Sequence, residues 1–376
     1  MRIGKDFSMI SSTQELKELV ARARKIDCVA LDTEFIWERT FYPQLGLIQL
    51  ALSDEDCHLI DPVAIKDLTP LGKLLSGRNV VKIFHDAPQD LIILSRVTKA
   101  IPANIFDTRI ASGFSGLPST ISLVNLVNVL LDIELPKTQT RTNWFHRPLS
   151  DEQIDYALDD VRYLRAIRVL LLTRIIVPEI KSWLRVELDT LNDPQSYIGC
   201  TDYERFQKIK GAGSLDRNGL AVLRELAAWR EQEARHLNRP RGHVVTDKNL
   251  LELARHEVNS FENLEQSGLL NAKKLQRFGE AIIKCITTGK SAAGDDRPEI
   301  RKPIRLNTRE KQVFERLASF VQLKCDMQGI DPHLIGTTAE LKQLARNLNS
   351  PGAPLPPRLT HGWRKMFLEE FFRQRL

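Results

Sequence analysis

The chain has 376 residues, 42% of them hydrophobic and 27% charged, with a net charge of +6 and a pI near 9.0. This composition fits a globular chain of two or three domains and excludes a disordered or collagen-like one. No membrane span or secretory leader is expected, because the best apolar run, residues 169–172, is far too short and the N-terminus has no apolar core. The five cysteines are odd in number, scattered and without Cys-x-x-Cys spacing, so neither a disulfide framework nor a zinc knuckle is indicated and a reducing cytoplasm is expected. Charge is unevenly spread: the balance is −2 over residues 1–172, +1 over 173–296 and +7 over 297–376. The C-terminal end is thus the part suited to a polyanion, although basic tails are commonly just solvated surface.

In chain order, residues 11–15 set capping residues ahead of an apolar stripe and predict a helix start. The run from Cys28 is apolar until Asp32 and Glu34 arrive two positions apart. On a strand they point to one side, where their repulsion calls for a bound cation. An isolated Asp-x-Glu is more often a solvent-facing pair, so it gains meaning only if other carboxylates join it. Residues 47–52 and 57–60 around an acidic turn predict a hairpin, completing a three-stranded antiparallel meander. Residues 62–75 read as helical and 80–84 as a buried strand ending at His85 and Asp86. Pro88 then suits the first turn of a helix, which makes Asp86 its expected N-cap and places Asp90 one turn in.

Residues 101–135 read as further helices, one opening at residues 106–108. The polar stretch 137–148 holds Arg141, Trp144, His146 and Arg147; it could grip phosphates, or be a surface connection anchored by its tryptophan. Ser150 and Gln153 form a capping box, with Leu149 and Ile154 as a hydrophobic staple. In the helix that follows, Ala157, Val161, Leu164 and Ile167 should face the core, and Tyr156 and Asp160, four apart, share a neighbouring face. Residues 211–214 mark a domain boundary; beyond it the pattern is all helical, with a charged linker at 289–303 that suggests two helical modules in tandem.

As a set, the segments Leu31-Asp32-Thr33-Glu34-Phe35, His85-Asp86-Ala87-Pro88-Gln89-Asp90 and Tyr156-Ala157-Leu158-Asp159-Asp160 resemble the three motifs of the DEDD 3′-to-5′ exonucleases, in the branch with tyrosine in the third motif. Residues 214–290 are similar to an HRDC module, and 305–376, with Gly362-Trp363-Arg364, resemble a second, more diverged one. This is the layout of the ribonuclease D family. His85-Asp86 departs from the more usual His-Asn and leaves a spare carboxylate beside the site. The resemblance implies an α/β fold, an RNase H-like mixed-sheet exonuclease domain (1–210) followed by two small all-α HRDC-like domains (211–292 and 293–376).

It also implies a metal-dependent 3′-to-5′ exoribonuclease that trims structured RNA precursors such as tRNA and releases nucleoside 5′-monophosphates. Asp32, Glu34, Asp90 and Asp160 are then ligands for two divalent cations, Mg²⁺ or Mn²⁺, since an oxygen-only set disfavours zinc. Asp32 is the candidate bridge between them, and Tyr156 would orient the attacking water. Thr33, Phe35, His85 and Arg147 are the candidates for contacting RNA, Phe35 by stacking unless it is a core residue. The expected partner is RNA with a free 3′ end, bound by a monomer and with no membrane involved. The alternatives are a DNA-directed exonuclease of the same chemistry and a catalytically inactive RNA-binding protein. A helicase is disfavoured because no Gly-x-x-x-x-Gly-Lys-Ser/Thr loop occurs.

Overall fold

The computed structural model describes residues 7–136, 142–197, 200–256, 258–299, 304–348, 350 and 353–373. Among them six strands form one sheet: β1 (Phe7–Ile10), β2 (Cys28–Ile36), β3 (Gln44–Ala51), β4 (Cys57–Ile60), β5 (Val81–Phe84) and β6 (Ile105–Asp107), in the order β1-β4-β3-β2-β5-β6. β3 and β4 are antiparallel, as the hairpin pattern predicts, whereas β1 runs parallel to β4 and β5 parallel to both β2 and β6. The sheet is therefore mixed.

Helices are interleaved with and follow the strands: α1 (Thr13–Ala23), α2 (Thr69–Leu75), α3 (Pro88–Thr98), α4 (Thr108–Phe114), α5 (Leu123–Leu131), α6 (Asp151–Arg162), α7 (Leu164–Arg174) and α8 (Pro178–Asp189). Next come α9 (Arg217–Leu237), α10 (Arg241–Val244), α11 (Asp247–Arg255), α12 (Phe261–Gln266) and α13 (Ala272–Lys290). The last are α14 (Thr308–Gln328), α15 (Thr338–Asn347), α16 (Pro357–Thr360) and α17 (Gly362–Arg373).

Several local expectations need correction. The helix expected over 62–75 is confined to α2, because the side chains of Asp61 and Asp67 bond forward to the backbone of Val63 and Thr69 and hold turns instead. Residues 105–107 are a strand, with Asp107 capping α4 directly after it. Asp86 does not cap α3: its backbone is left-handed, with φ 69°, and Ala87 takes the N-cap position ahead of Pro88.

The sheet separates two layers, and the alternation of β2 shows how. Val29 and Leu31 pack with Leu16, Leu74 and Leu91 of α1, α2 and α3. Cys28 and Ala30 pack on the other side with Ala157, Leu164 and Trp183 of α6, α7 and α8. By the same period of two, Asp32 and Glu34 continue the face that looks toward α6.

Packing groups the segments differently from their order in the chain. One compact unit comprises Met1–Phe35, Leu45–Ile198 and Ile304–Leu376, so the C-terminal helices, expected as a separate domain, share the core of the sheet-bearing segment. Trp363 of α17 stacks on Trp183 of α8 with ring centroids 5.0 Å apart, and Asp331 bonds across to Gly113 and Ser119. The second unit is Ile36–Gln44 with Gly199–Pro303. Its axis is α9, where Leu220, Leu223, Ala227, Arg230 and Ala234, spaced three and four apart, are buried. Gly289 of α13 lies so close to the Val222 backbone that a Cβ there would come within 2.5 Å. Phe41 is buried in this unit, the guanidiniums of Arg235 and Arg241 lying 5.5 and 4.7 Å from its ring centroid.

Candidate active site

Two elements bring three carboxylates together. β2 delivers Asp32 and Glu34, and α6 delivers Asp160. The start of α6 is fixed by the predicted capping box, in which Ser150 accepts from the Gln153 amide while Gln153 accepts from the Ser150 amide at 3.0 Å. Asp32, Glu34 and Asp160 each offer a carboxylate oxygen lying within 4.8 Å of the others.

Asp90 is not one of this group. It comes from α3, whose neighbouring Leu91 packs in the opposite layer, and its carboxylate accepts a 2.5 Å hydrogen bond from the Thr33 hydroxyl. It is nonetheless near: after burial, its charge is the largest influence raising the pKa of Asp32, ahead of Asp160 and Glu34.

Burial and the repulsion of neighbouring carboxylates hold all four carboxyls above their ordinary range. Burial, then Asp160 and Asp90, push Glu34 up to about 8. Burial raises Asp160 to about 7, with Asp159 adding and a hydrogen bond from Tyr156 opposing. Asp90 also reaches about 7 through burial, against the pull of Thr33. Among the described residues no Lys, Arg or His forms an ion pair with any of the four. Such a half-buried, oxygen-only and uncompensated set, with Asp90 buried beside it, fits hard divalent cations such as Mg²⁺ or Mn²⁺. The Tyr156 phenol, one turn before Asp160, is also raised, by burial first and then by Asp160, Glu34 and Asp32, and it hydrogen bonds to Asp160.

The other sequence candidates fall elsewhere. Thr33 spends its hydroxyl on Asp90 and acts as that carboxylate's support. Phe35 is half-buried near the end of β2. His85 is half-buried with both ring nitrogens engaged, Nδ1 with the Thr108 hydroxyl at 2.8 Å and Nε2 with the Ile121 carbonyl at 3.1 Å. Burial, aided by Arg109, lowers its pKa to about 4, so it is neutral and no cationic phosphate ligand. Arg147 is likewise no free cation: its guanidinium is bonded to Asp61 and to three backbone carbonyls. Arg141 lies outside the described residues. Asp86 is exposed and paired with Arg109, which leaves Asp90 as the carboxylate beside the cluster.

Asp107 was not a sequence candidate, and it organises the approach of α3. Its carboxylate accepts from the amides of Asp86 (3.3 Å) and Ala87 (2.8 Å) as well as from Arg109 and Ile110 of the helix it caps. It therefore ties the turn that launches Asp90 to the end of β6. Its position before Thr108 signals the cap, but no local pattern signals the bonds to residues 86 and 87. Asp107→Ala, which strands buried amides, is expected to destabilise the protein by about 2–4 kcal/mol in urea unfolding. Asp107→Asn should do so by less.

Residues 7–176 match the 3′-5′ exonuclease family and residues 219–286 the HRDC domain. The chain is 50% identical over 368 residues to ribonuclease D of Desulfotalea psychrophila, covering 98% of each protein. It is 35% identical over 359 residues to ribonuclease D of Bartonella henselae, covering 95% of this chain and 86% of that one. Among solved structures it resembles Escherichia coli RNase D, described as an exoribonuclease involved in structured RNA processing, with a TM-score of 0.82 at 29% identity over 98% of both chains. A strand and a helix that converge carboxylates, on an exonuclease sheet followed by an HRDC domain and matched from end to end, place this chain in the ribonuclease D family of 3′-to-5′ exoribonucleases.

Proposed function

We propose that the protein trims the 3′ ends of structured RNA precursors such as tRNA, releasing nucleoside 5′-monophosphates. The observation that carries the reading is the approach of Asp32, Glu34 and Asp160 to within 4.8 Å in a segment that matches 3′-5′ exonucleases. Asp32, Glu34 and Asp160, with Asp90 alongside, would hold two divalent cations, Mg²⁺ or Mn²⁺. Bound there, the cations would supply a hydroxide at neutral pH and offset the charge on the leaving 3′-oxygen.

The chain's own residues do the rest. Asp90, steadied by Thr33, completes the negative wall of the site. The Tyr156 hydroxyl stands one turn from Asp160, where it would orient the attacking water. The excess of positive charge in residues 297–376 supports RNA binding through phosphates, which favours a polyanion without regard to sequence.

The protein would act as a monomer, and in the cytoplasm, the latter supported by five cysteines that are all free. Among the described residues no helix is long and apolar enough to cross a membrane.

The test is a time course on 5′-labelled precursor tRNA and a DNA strand of matched sequence, with Mn²⁺ or Mg²⁺ and with EDTA. Stepwise shortening of the RNA, release of nucleoside 5′-monophosphates and silence in EDTA are expected. Faster degradation of the DNA would reassign the substrate, and internal cuts or nucleoside diphosphate products would reject the mechanism. Light scattering of the same sample checks the monomer.

A further inference from the structure

The segment from Thr142 to Pro148 is built with unusual firmness for a connection, and Arg147 is its hub. Its Nε donates to Asp61 Oδ2 at 2.8 Å and its Nη2 to Asp61 Oδ1 at 2.6 Å, the parallel pair of bonds a guanidinium makes with a carboxylate. The same Nη2 donates to the Gly46 carbonyl of β3 at 2.9 Å. Nη1 donates to the carbonyls of Trp144 at 2.8 Å and His146 at 2.9 Å. All five donors of the side chain are thereby used inside the protein, and none is left for a phosphate.

Two further features hold the same segment. A Cβ on Gly46 would lie 2.7 Å from the Cβ of Trp144 and 3.0 Å from its carbonyl oxygen, so only glycine lets the Trp144 backbone lie against β3. On α6, one turn before Tyr156, the Gln153 amide donates to the Thr142 hydroxyl at 3.0 Å. What this bracing supports is the indole of Trp144. It is 3% exposed, and its ring stands 6.1 Å from the ring of Tyr156 at an angle of 37°.

A tyrosine side chain turns about two torsions, so a fixed wall beside the ring limits where the hydroxyl can point. We propose that Asp61, Arg147 and Gly46 form a clamp that braces Trp144 against Tyr156 and so sets the aim of the Tyr156 hydroxyl at the carboxylate cluster. Arg147 is then a positioning residue for hydrolysis. This rests on the water-orienting role given to Tyr156 above.

The test is a double-substitution cycle of Arg147→Lys and Tyr156→Phe in the full-length protein, read on a 5′-labelled RNA oligonucleotide with Mn²⁺. Lysine keeps the charge beside Asp61 but cannot reproduce the five-donor fork. Trp144→Phe serves as a second variant that leaves the Arg147 bonds in place, and thermal unfolding verifies that each protein is folded. Arg147→Lys is expected to lower kcat about 10- to 100-fold. KM for the RNA, and Mn²⁺ affinity measured by calorimetry, should stay within about twofold.

Placed on a Tyr156→Phe background, Arg147→Lys and Trp144→Phe should add nothing further, because the group they aim is gone. A raised KM at unchanged kcat would return Arg147 to phosphate binding, and full additivity would reduce it to fold support; either overturns the clamp. A harmful Tyr156→Phe with additive Arg147→Lys removes the clamp alone, whereas a harmless Tyr156→Phe removes both the clamp and the role of the tyrosine.

Discussion

Replacing Asp32 with asparagine is expected to stop stepwise RNA shortening while the variant still binds RNA. Asp32 is the residue on which the other three carboxylates act, burial and then Asp90, Asp160 and Glu34 all disfavouring its charged form. A site of that kind works only when cations compensate it, and asparagine removes one of the negative charges that attract them. The loss in kcat should be about 10³-fold or more, the scale seen when one member of a catalytic unit is removed. RNA affinity should change little if, as proposed, it is drawn from basic residues elsewhere in the chain.

The same variant has a thermodynamic signature. Mn²⁺ at about 100 times its dissociation constant should stabilise the parent by about 2.7 kcal/mol through binding to the folded state alone. In Asp32→Asn most of that gain should vanish, while the metal-free variant should melt at or above the parent, because a buried repulsion has been relieved. A thermal-shift series with and without Mn²⁺ reads both. Full activity of the asparagine variant would reject the metal site.

Glu187→Gln is expected to loosen the C-terminal helices from the sheet-bearing core. Glu187 of α8 accepts from Arg364 at 2.6 and 2.9 Å and from the Trp363 indole at 2.7 Å. The Arg364 side chain is only 7% exposed, and its Nε is occupied by the carbonyls of Leu334 and Ile335. Glutamine would leave a buried guanidinium without its counter-charge, at a cost of about 3–5 kcal/mol. For a unit of this size the melting temperature should fall by about 10 °C.

Acid should act on the same bond. Burial pushes the Glu187 carboxyl up, but the bonds and charge of Arg364 outweigh it and hold the pKa below the ordinary 4.5. A carboxylate lowered in the folded state contributes stability above its unfolded pKa and loses it as pH falls through the folded value. The parent should therefore weaken below pH about 4.5 more steeply than Glu187→Gln, which urea midpoints across that range would show.

What the sequence makes legible here is local. Ser150 with Gln153 announces its helix because the partner is three residues away, and the capping residues at 11–15 announce α1, where Ser12 and Glu15 also form a box. Asp32 with Glu34, and Tyr156 with Asp160, are legible because strand and helix periods fix which side chains share a face. What stayed hidden depends on partners far along the chain. Asp107 reaches back to residues 86 and 87, and Arg147 reaches Asp61 and Gly46. An arginine in a polar loop looks the same whether it awaits a phosphate or is already spent. Asp86 misled for a related reason: Pro88 fixes where α3 begins, yet it does not require a capping side chain before it. β6 escaped because three residues are too few to show a period.

The discontinuous make-up of the sheet-bearing unit has a consequence for how it is made. Trp183 is completed by Trp363 and Phe367, which lie about 180 residues further along, beyond the whole of the helical unit. At ribosomal speeds of about 5–20 residues per second, an apolar surface on α8 waits about 10–40 s before its cover is synthesised. The nascent chain is thus a natural client for chaperones during that interval. A stop codon even a few residues before Trp363 should send the product to proteolysis, although every carboxylate of the cluster has already been translated.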